Sequence, residues 1–298
     1  MNSLAFELTG VRKSYQHFEL RSIDLNLPTG SIMGFIGPNG AGKSTTIRIL
    51  MGLVRQDSGG VWVLENPMPA RLHDVKLDVG FVSEDMRLYG GATVRWHMNF
   101  IASIYPTWDS EHAKKLLTRF DLNPEHKVKG LSRGQAVKTS LLLVLARHPK
   151  LLILDEPTTG LDPVVRQEVR SELMEVVRNE EHTILMSSHN TQDVEQISDR
   201  IAFIYDGKIL ESDDKESFLD RWRRVRIEAD PRTPIPVPDD CHTLSRNGRT
   251  CVLTTGQFSD HLMSDLKSAG GSVLDIQRMT LEEIFLARVN IARKGAAS

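Results

Sequence analysis

The sequence predicts an α/β fold: a core on parallel strands carrying an antiparallel β subdomain and an inserted helical subdomain, then a small C-terminal α/β domain. Three observations predict it. The apolar run Ser31-Ile32-Met33-Gly34-Phe35-Ile36 leads through a glycine-rich loop into the helical pattern of residues 45–51. A second apolar run, Leu151-Leu152-Ile153-Leu154, ends in Asp155-Glu156, as a buried parallel strand does where its C-terminal end opens on a crevice. Beyond about residue 215 the pattern turns basic, proline-bearing and finely alternating, which sets residues 216–298 apart from residues 1–215.

Taken in order, residues 6–11, 21–27 and 61–64 read as strands of an antiparallel sheet flanking the strand at 31–36. Residues 78–82 return to the parallel core. From about 87 to 147 the chain reads as helical: 94–104 is apolar-rich and stopped by Pro106, 109–120 carries Ala113, Leu116, Leu117 and Phe120 at helical spacing, and a helix runs from Ala136 to about Arg147. Strands follow at 151–154 and 183–187, and Asp206-Gly207 joins 201–205 to 208–210 as a hairpin turn. In the C-terminal part, Pro231, Pro234, Pro236 and Pro238 mark an irregular loop and Asn247-Gly248 a hairpin before 251–254. A helix near 258–268, a strand at 272–277 and a short helix opened by the capping box Thr280-Leu281-Glu282-Glu283 complete it. The basic stretch 221–226 is read as a solvated charged strand or linker, with contact to anionic lipid as the alternative.

The loop Gly37-Pro38-Asn39-Gly40-Ala41-Gly42-Lys43-Ser44-Thr45 has the spacing of a phosphate cradle. Glycines let the backbone turn its N–H groups inward onto phosphate oxygens, and the helix start adds partial positive charge. Lys43 is then expected on the β/γ-phosphates of ATP or GTP and the Ser44 hydroxyl on Mg²⁺. Asp155 is expected to hold the Mg²⁺ shell, and Glu156, just beyond the strand, to orient and deprotonate an attacking water. Ser132, Gly134 and Gln135, ahead of an apolar helix, make a second helix start suited to an anion. Ser132 and Gln135 equally satisfy a capping box, which requires nothing beyond a helix start. Two phosphate-binding helix starts in one chain suggest two half-sites.

These motifs resemble those of the nucleotide-binding subunits of ABC transporters over residues 1 to about 215. Gly37 to Ser44 resembles the Walker A motif, Leu131-Ser132-Arg133-Gly134-Gln135 the signature motif, and 151–156 the Walker B strand with its catalytic glutamate. Gly160-Leu161-Asp162 resembles the D-loop, and His189 the switch histidine. The resemblance implies a head-to-tail dimer, homodimeric or completed by a related ATPase, with ATP between the Walker motifs of one subunit and the signature helix of the other. It places Asp162 at the interface, His189 on the γ-phosphate and Tyr15 against the adenine ring. It also implies a separately encoded membrane permease, met by the helical region through residues such as Tyr89, Trp96 and Phe100.

Two positions depart from the family's pattern. Where the Q-loop carries Gln, this chain has Ser83-Glu84. A carboxylate there accepts from a metal-bound water but cannot donate, so Glu84 is read as a Mg²⁺-sensing ligand with altered geometry. Arg133 replaces the first signature glycine and is expected either along a ribose or solvated at the helix start, the latter preferred.

The end of the chain, Thr280-Leu281-Glu282-Glu283-Ile284-Phe285-Leu286, and the stretch Tyr105-Pro106-Thr107-Trp108-Asp109 resemble ATPase subunits of bacterial ABC-2-type exporters. Composition agrees with such a motor. The 298-residue chain has a net charge of −2, no basic excess for bulk nucleic-acid binding, and 40% hydrophobic residues. Its apolar runs are far shorter than a membrane span, and no signal peptide is expected. Cys241 and Cys251 suit a reducing cytoplasm and are expected on adjacent strands. The resulting expectation is an ATP-hydrolysing exporter subunit at the cytoplasmic face of the cell membrane. The alternatives are a non-transport ABC ATPase acting on ribosome or DNA, and a slow-hydrolysing regulatory module.

Overall fold

The computed structural model describes residues 3–177, 182–228, 241–268 and 271–297. The chain divides into two compact units, Met1–Ser212 and Asp213–Ser298.

The first unit opens with β1 (Leu4–Tyr15) and β2 (Phe18–Pro28), an antiparallel hairpin closed by Tyr15 opposite Phe18. Then come β3 (Ile32–Ile36), α1 (Lys43–Leu50), β4 (Ser58–Val63) and the two-residue β5 (Asn66–Pro67). Strands β1, β2, β4 and β5 form the antiparallel sheet in the order β2-β1-β4-β5. After α2 (Leu72–Asp78) and β6 (Val79–Ser83), the helical region holds α3 (Val94–Ile104), α4 (Ser110–Arg119) and α5 (Arg133–Leu145). The unit continues through β7 (Leu151–Asp155), α6 (Pro163–Val177), β8 (Thr183–Ser188), α7 (Thr191–Ile197), β9 (Arg200–Tyr205) and β10 (Lys208–Asp214).

The main sheet has the order β10-β9-β3-β8-β7-β6. Every residue of β3, β7 and β8 is buried, which is why their apolar residues come in consecutive stretches rather than alternating with polar ones. One buried cluster includes Phe6, Leu8 and Ile23 of the antiparallel sheet, Ile47 and Ile49 of α1, and Leu151 and Ile153 of β7. The predicted turn between β9 and β10 is present: Asp206 and Gly207 both take positive φ, 46° and 69°, the backbone a two-residue hairpin needs.

The helical region follows its periodicity. Ala113, Leu116 and Phe120 are buried, and Asp109 caps α4 by accepting the N–H groups of Glu111 and His112 at 2.9 Å. Helix α5 starts three residues earlier than the predicted Ala136, because Ser132 and Gln135 form the complete capping box and Arg133 is already helical. Helix α2 was not predicted; it is seven residues long with Val75 alone buried, too short for a readable stripe.

The second unit contains α8 (Lys215–Arg221), β11 (Arg223–Glu228), β12 (Cys241–Asn247), β13 (Thr250–Thr255), α9 (Asp260–Ser268), β14 (Ser272–Arg278) and α10 (Leu281–Ala297). Its sheet runs β12-β13-β11-β14, so of the two readings of the basic stretch the strand holds for residues 223–226, which lie on an inner strand, while Arg221 ends α8. Alternation explains this: Val225 and Ile227 are buried with Leu253, Leu262 and Leu266, while Arg224 lies on the other face and pairs with Glu283. The predicted short terminal helix is a 17-residue helix opened by its capping box, with Thr280 and Glu283 bonded reciprocally. Cys241 and Cys251 are on neighbouring strands, and Cys251 is buried. The four prolines at 231–238 lie outside the described residues.

Candidate nucleotide-binding site

Strand register builds the site. Ile36 at the end of β3 stands opposite Ser188, Ser187 opposite Asp155, and Asp155 opposite Ser83. The four strands therefore finish level, and the loops that leave them emerge at one edge of the sheet. At the end of β3 the backbone of Gly37 runs so close to β9 that a Cβ there would stand 2.4 Å from the Ile204 carbonyl oxygen. Gly42, with φ 114°, is the N-cap of α1 and offers no side-chain cap. The first N–H groups of α1 are thus left to a ligand, as an anion cradle requires. Pro38, Asn39 and Gly40 are exposed on the loop, Ala41 is buried beneath it, and Ser44 and Thr45 are half-buried on the first turn.

Lys43 is 5% exposed and spans the loop. Its ammonium donates to the Gly37 carbonyl at 2.7 Å and lies 3.1 Å from Glu156 Oε1. Glu156 follows β7 with φ 53°, a left-handed conformation rare for a residue with a side chain, and its N–H donates to Ser187 Oγ at 3.1 Å. Its other oxygen, Oε2, accepts from Thr159 Oγ1 at 2.9 Å and from His189 Nδ1 at 2.8 Å. Burial pushes the Glu156 carboxyl up, but the Lys43 ammonium and the hydrogen bonds from Lys43, Thr159 and His189 outweigh it and hold the group below the usual carboxylate range. Asp155, almost fully buried, accepts from Ser187 Oγ at 2.6 Å.

The residues predicted for the second half-site lie elsewhere on the first unit. Ser132 is exposed at the start of α5 and accepts the Gln135 N–H at 3.2 Å; its hydroxyl proton remains available to donate. Gly134 is buried, and a Cβ there would stand 2.8 Å from Val165 Cγ1. Asp162 is exposed and caps α6, accepting the N–H groups of Val164 and Val165 at 3.0 Å. Tyr15 is 47% exposed at the tip of the β1–β2 hairpin. Phe18, opposite it, lies beside the cradle, 3.0 Å from where a Cβ on Gly42 would stand. Arg133 is exposed at the start of α5, as preferred, and its guanidinium is paired with Glu84 at 2.5 Å, which was not expected.

A family model described as "ABC transporter" matches residues 20–159. The lantibiotic transport ATP-binding protein SrtF of Streptococcus pyogenes is 37% identical over 207 residues, 68% of this chain and 88% of that protein. The chain belongs to the ABC transporter ATP-binding family. The ABC transporter ATP-binding protein YtrB of Bacillus subtilis is 26% identical over 281 residues, covering 92% of this chain and 94% of its own length. The bacitracin transport ATP-binding protein BcrA of Bacillus licheniformis is 32% identical over 207 residues, 69% of this chain and 66% of its own. Among solved structures, a dimeric post-hydrolysis state of the cassette MJ0796, bound to ADP and phosphate, superposes with a TM-score of 0.64 at 23% identity. It covers 70% of this chain and 98% of its own, and establishes a common fold.

Within this ABC cassette, two contributors had escaped the sequence reading. Ser187 bridges Asp155 and Glu156, and Thr159 holds the Glu156 carboxylate. Ser187 becomes legible only when β7 and β8 are aligned; Thr159 sits three residues past Glu156 with nothing to distinguish it from the neighbouring Thr158. For Mg²⁺, the donor set expected from sequence is the Ser44 hydroxyl with the Asp155 and Glu84 carboxylates. All are hard oxygen donors, and one or two carboxylates supplemented by phosphate oxygens are what Mg²⁺ usually takes. Ser44 and Asp155 fit the ion by donor type, and Glu84 does so once it parts from Arg133.

Proposed function

We propose that this ATPase is the motor subunit of a bacterial ABC-2-type exporter, pairing through its nucleotide sites and driving a separately encoded permease at the cytoplasmic face of the membrane. The observation that supports hydrolysis is the convergence of Lys43, His189 and Thr159 on one buried carboxylate, Glu156. Support for export comes from the relatives: SrtF is a lantibiotic transport ATP-binding protein, BcrA a bacitracin transport ATP-binding protein, and a third, from Bradyrhizobium diazoefficiens, a Nod factor export ATP-binding protein. This favours transport over the ribosome- or DNA-acting alternative. Among the described residues no helix is long and apolar enough to cross a membrane.

In this reading ATP lies along the loop from Gly37 to Thr45, its phosphates on the backbone N–H groups and its adenine against Tyr15. Lys43 exchanges Glu156 for the β/γ-phosphates, which leaves the Glu156 carboxylate buried without its main counter-charge. Burial then raises its proton affinity, as suits the base that takes a proton from the attacking water. His189 holds the far side of that carboxylate and faces the γ-phosphate. Ser44, Asp155 and Glu84 would hold Mg²⁺, which would supply charge neutralisation at the phosphates. Ser132, Gly134 and Asp162 serve the nucleotide of a facing subunit.

Permease contact is assigned to α3. Trp96 and Phe100 stack with centroids 5.2 Å apart and are 47% and 48% exposed, and Tyr89, at 70%, packs beside Trp96. His97, buried beneath, accepts the Tyr89 N–H at 3.0 Å and so ties that loop to the helix. Three aromatic rings held rigidly at the surface suit a protein partner. The test is affinity purification from gently solubilised native membranes. A co-purifying polytopic permease supports the reading, whereas ribosomal proteins in its place would overturn it.

A further inference from the structure

The two departures from the family's motif pattern, Glu84 and Arg133, are ion-pair partners 49 residues apart in sequence. Glu84 rides on the end of the core sheet: it follows β6, and its N–H donates to the Asp155 carbonyl at 3.0 Å. Arg133 is the first residue of α5, directly after the cap Ser132. Its guanidinium also lies against the backbone of Gly160, where a Cβ would stand 2.8 Å from Arg133 Cζ. Gly160 has φ 70° and is two residues ahead of Asp162. One side chain therefore touches the loop after β6, the start of the signature helix and the turn before Asp162. Glu84 and Arg133 line the same cavity as Glu156 and Thr159.

On the reading given above, Glu84 serves the chain's own nucleotide, and Ser132, Gly134 and Asp162 serve the nucleotide of a facing subunit. We propose that the Glu84–Arg133 pair is a latch that couples these two half-sites within one chain, with both partners acting as positioning residues; the inference rests on that reading. The physical reason is competition. A carboxylate that neutralises Arg133 cannot at the same time turn to a metal-bound water, and a guanidinium committed to Glu84 cannot turn to the oxygens of a facing nucleotide. Filling the chain's own cradle with Mg-nucleotide draws Glu84 away and frees Arg133 for the facing nucleotide. By linkage, engagement of Arg133 across the interface frees Glu84 for the metal, so each event favours the other by the same factor. Arg133 lying on Gly160 passes the change to Asp162 as well.

The test is ATP-driven dimerisation of the full chain in a Glu156→Gln background, read by light scattering with Mg²⁺ and with EDTA. With the pair intact, Mg²⁺ lowers the ATP concentration at half-dimerisation. Glu84→Gln and Arg133→Gln should each shrink that Mg²⁺ effect by about threefold, the order expected of a part-exposed ion pair, and the double variant should go no further. Arg133→Lys, which keeps the charge pair, should retain most of the effect. Thermal melting of each variant separates this from a purely structural contact. If melting temperatures fall while the Mg²⁺ effect persists, or if the two substitutions act additively, the latch is overturned and the exporter reading stands. If the background protein forms no ATP-dependent dimer with a second copy of itself, the latch between two copies is overturned, whereas the exporter reading, which admits a related ATPase as the other half, is not.

Discussion

The Lys43 ammonium and the Glu156 carboxylate lie 3.1 Å apart, so the cation assigned to phosphate is paired with the residue assigned to activate water. Both are largely buried. The pair keeps each charge compensated inside the site.

Removing either partner should therefore have distinct consequences. Lys43→Ala should abolish productive ATP binding, measured by nucleotide titration. Glu156→Gln should bind ATP and lose at least about 100-fold in turnover, the lower range for loss of a general base. Near-wild-type hydrolysis by Glu156→Gln would remove that residue from its role.

Acid stability should report the same carboxylate. Glu156 is held below its ordinary value of 4.5 in the folded chain. Such a group binds fewer protons folded than unfolded, so its contribution is fully present above about 4.5 and is lost as pH falls through the lower folded value. Thermal melts of the nucleotide-free protein between neutral and acid pH should show Glu156→Gln losing less stability on acidification than wild type. Parallel curves would show that the Lys43 pairing contributes nothing.

Ser132 has two assigned tasks that substitution can separate. Ser132→Ala should cost about 1 kcal/mol through the lost N-cap of α5 and also weaken ATP-driven pairing. Ser132→Asp keeps a good cap but sets a negative charge toward the facing nucleotide. It should melt like wild type and fail to dimerise with ATP. Normal dimerisation of Ser132→Asp would mean that Ser132 only caps its helix.

The aromatic surface of α3 should matter to partnership and not to chemistry. Trp96→Ala with Phe100→Ala removes two half-exposed rings, and should reduce permease co-purification at least tenfold while leaving ATP affinity and melting temperature nearly unchanged. Undiminished co-purification would place the permease contact elsewhere.

A chain ending at Asp214 should still bind ATP, because every residue assigned to nucleotide lies before residue 190 and the cluster of core residues closes within the first unit. Permease co-purification should suffer more than binding. A fragment that is folded and binds both ATP and permease as well as wild type would remove any assembly role from residues 215–298.

Much of the site was legible in the sequence because its parts are local. A loop from Gly37 to Thr45 needs its glycines for backbone reasons that involve a few neighbouring residues, and Ser132 with Gln135 caps α5 within one turn. The basic stretch 221–226 is undecided between strand and linker in the sequence for the opposite reason. An inner strand and a solvated linker can share that composition, and only the pairing of β11 with both β13 and β14 separates them. The terminal helix likewise showed its start through a capping box, yet nothing in the sequence marked its length.

The sequence by itself determined the apolar strands of the core, the phosphate cradle and the two acids at the end of β7, since backbone conformation and burial pattern are properties of short segments. Tertiary structure decided which of these meet. Lys43 reaches Glu156, Ser187 reaches Asp155 and Glu84 reaches Arg133 because parallel register levels the ends of β3, β8, β7 and β6, and α5 packs against that edge. Strands β3, β7 and β8 are buried on both faces, so no apolar–polar alternation marks their register, and packing across strands far apart in sequence decides it.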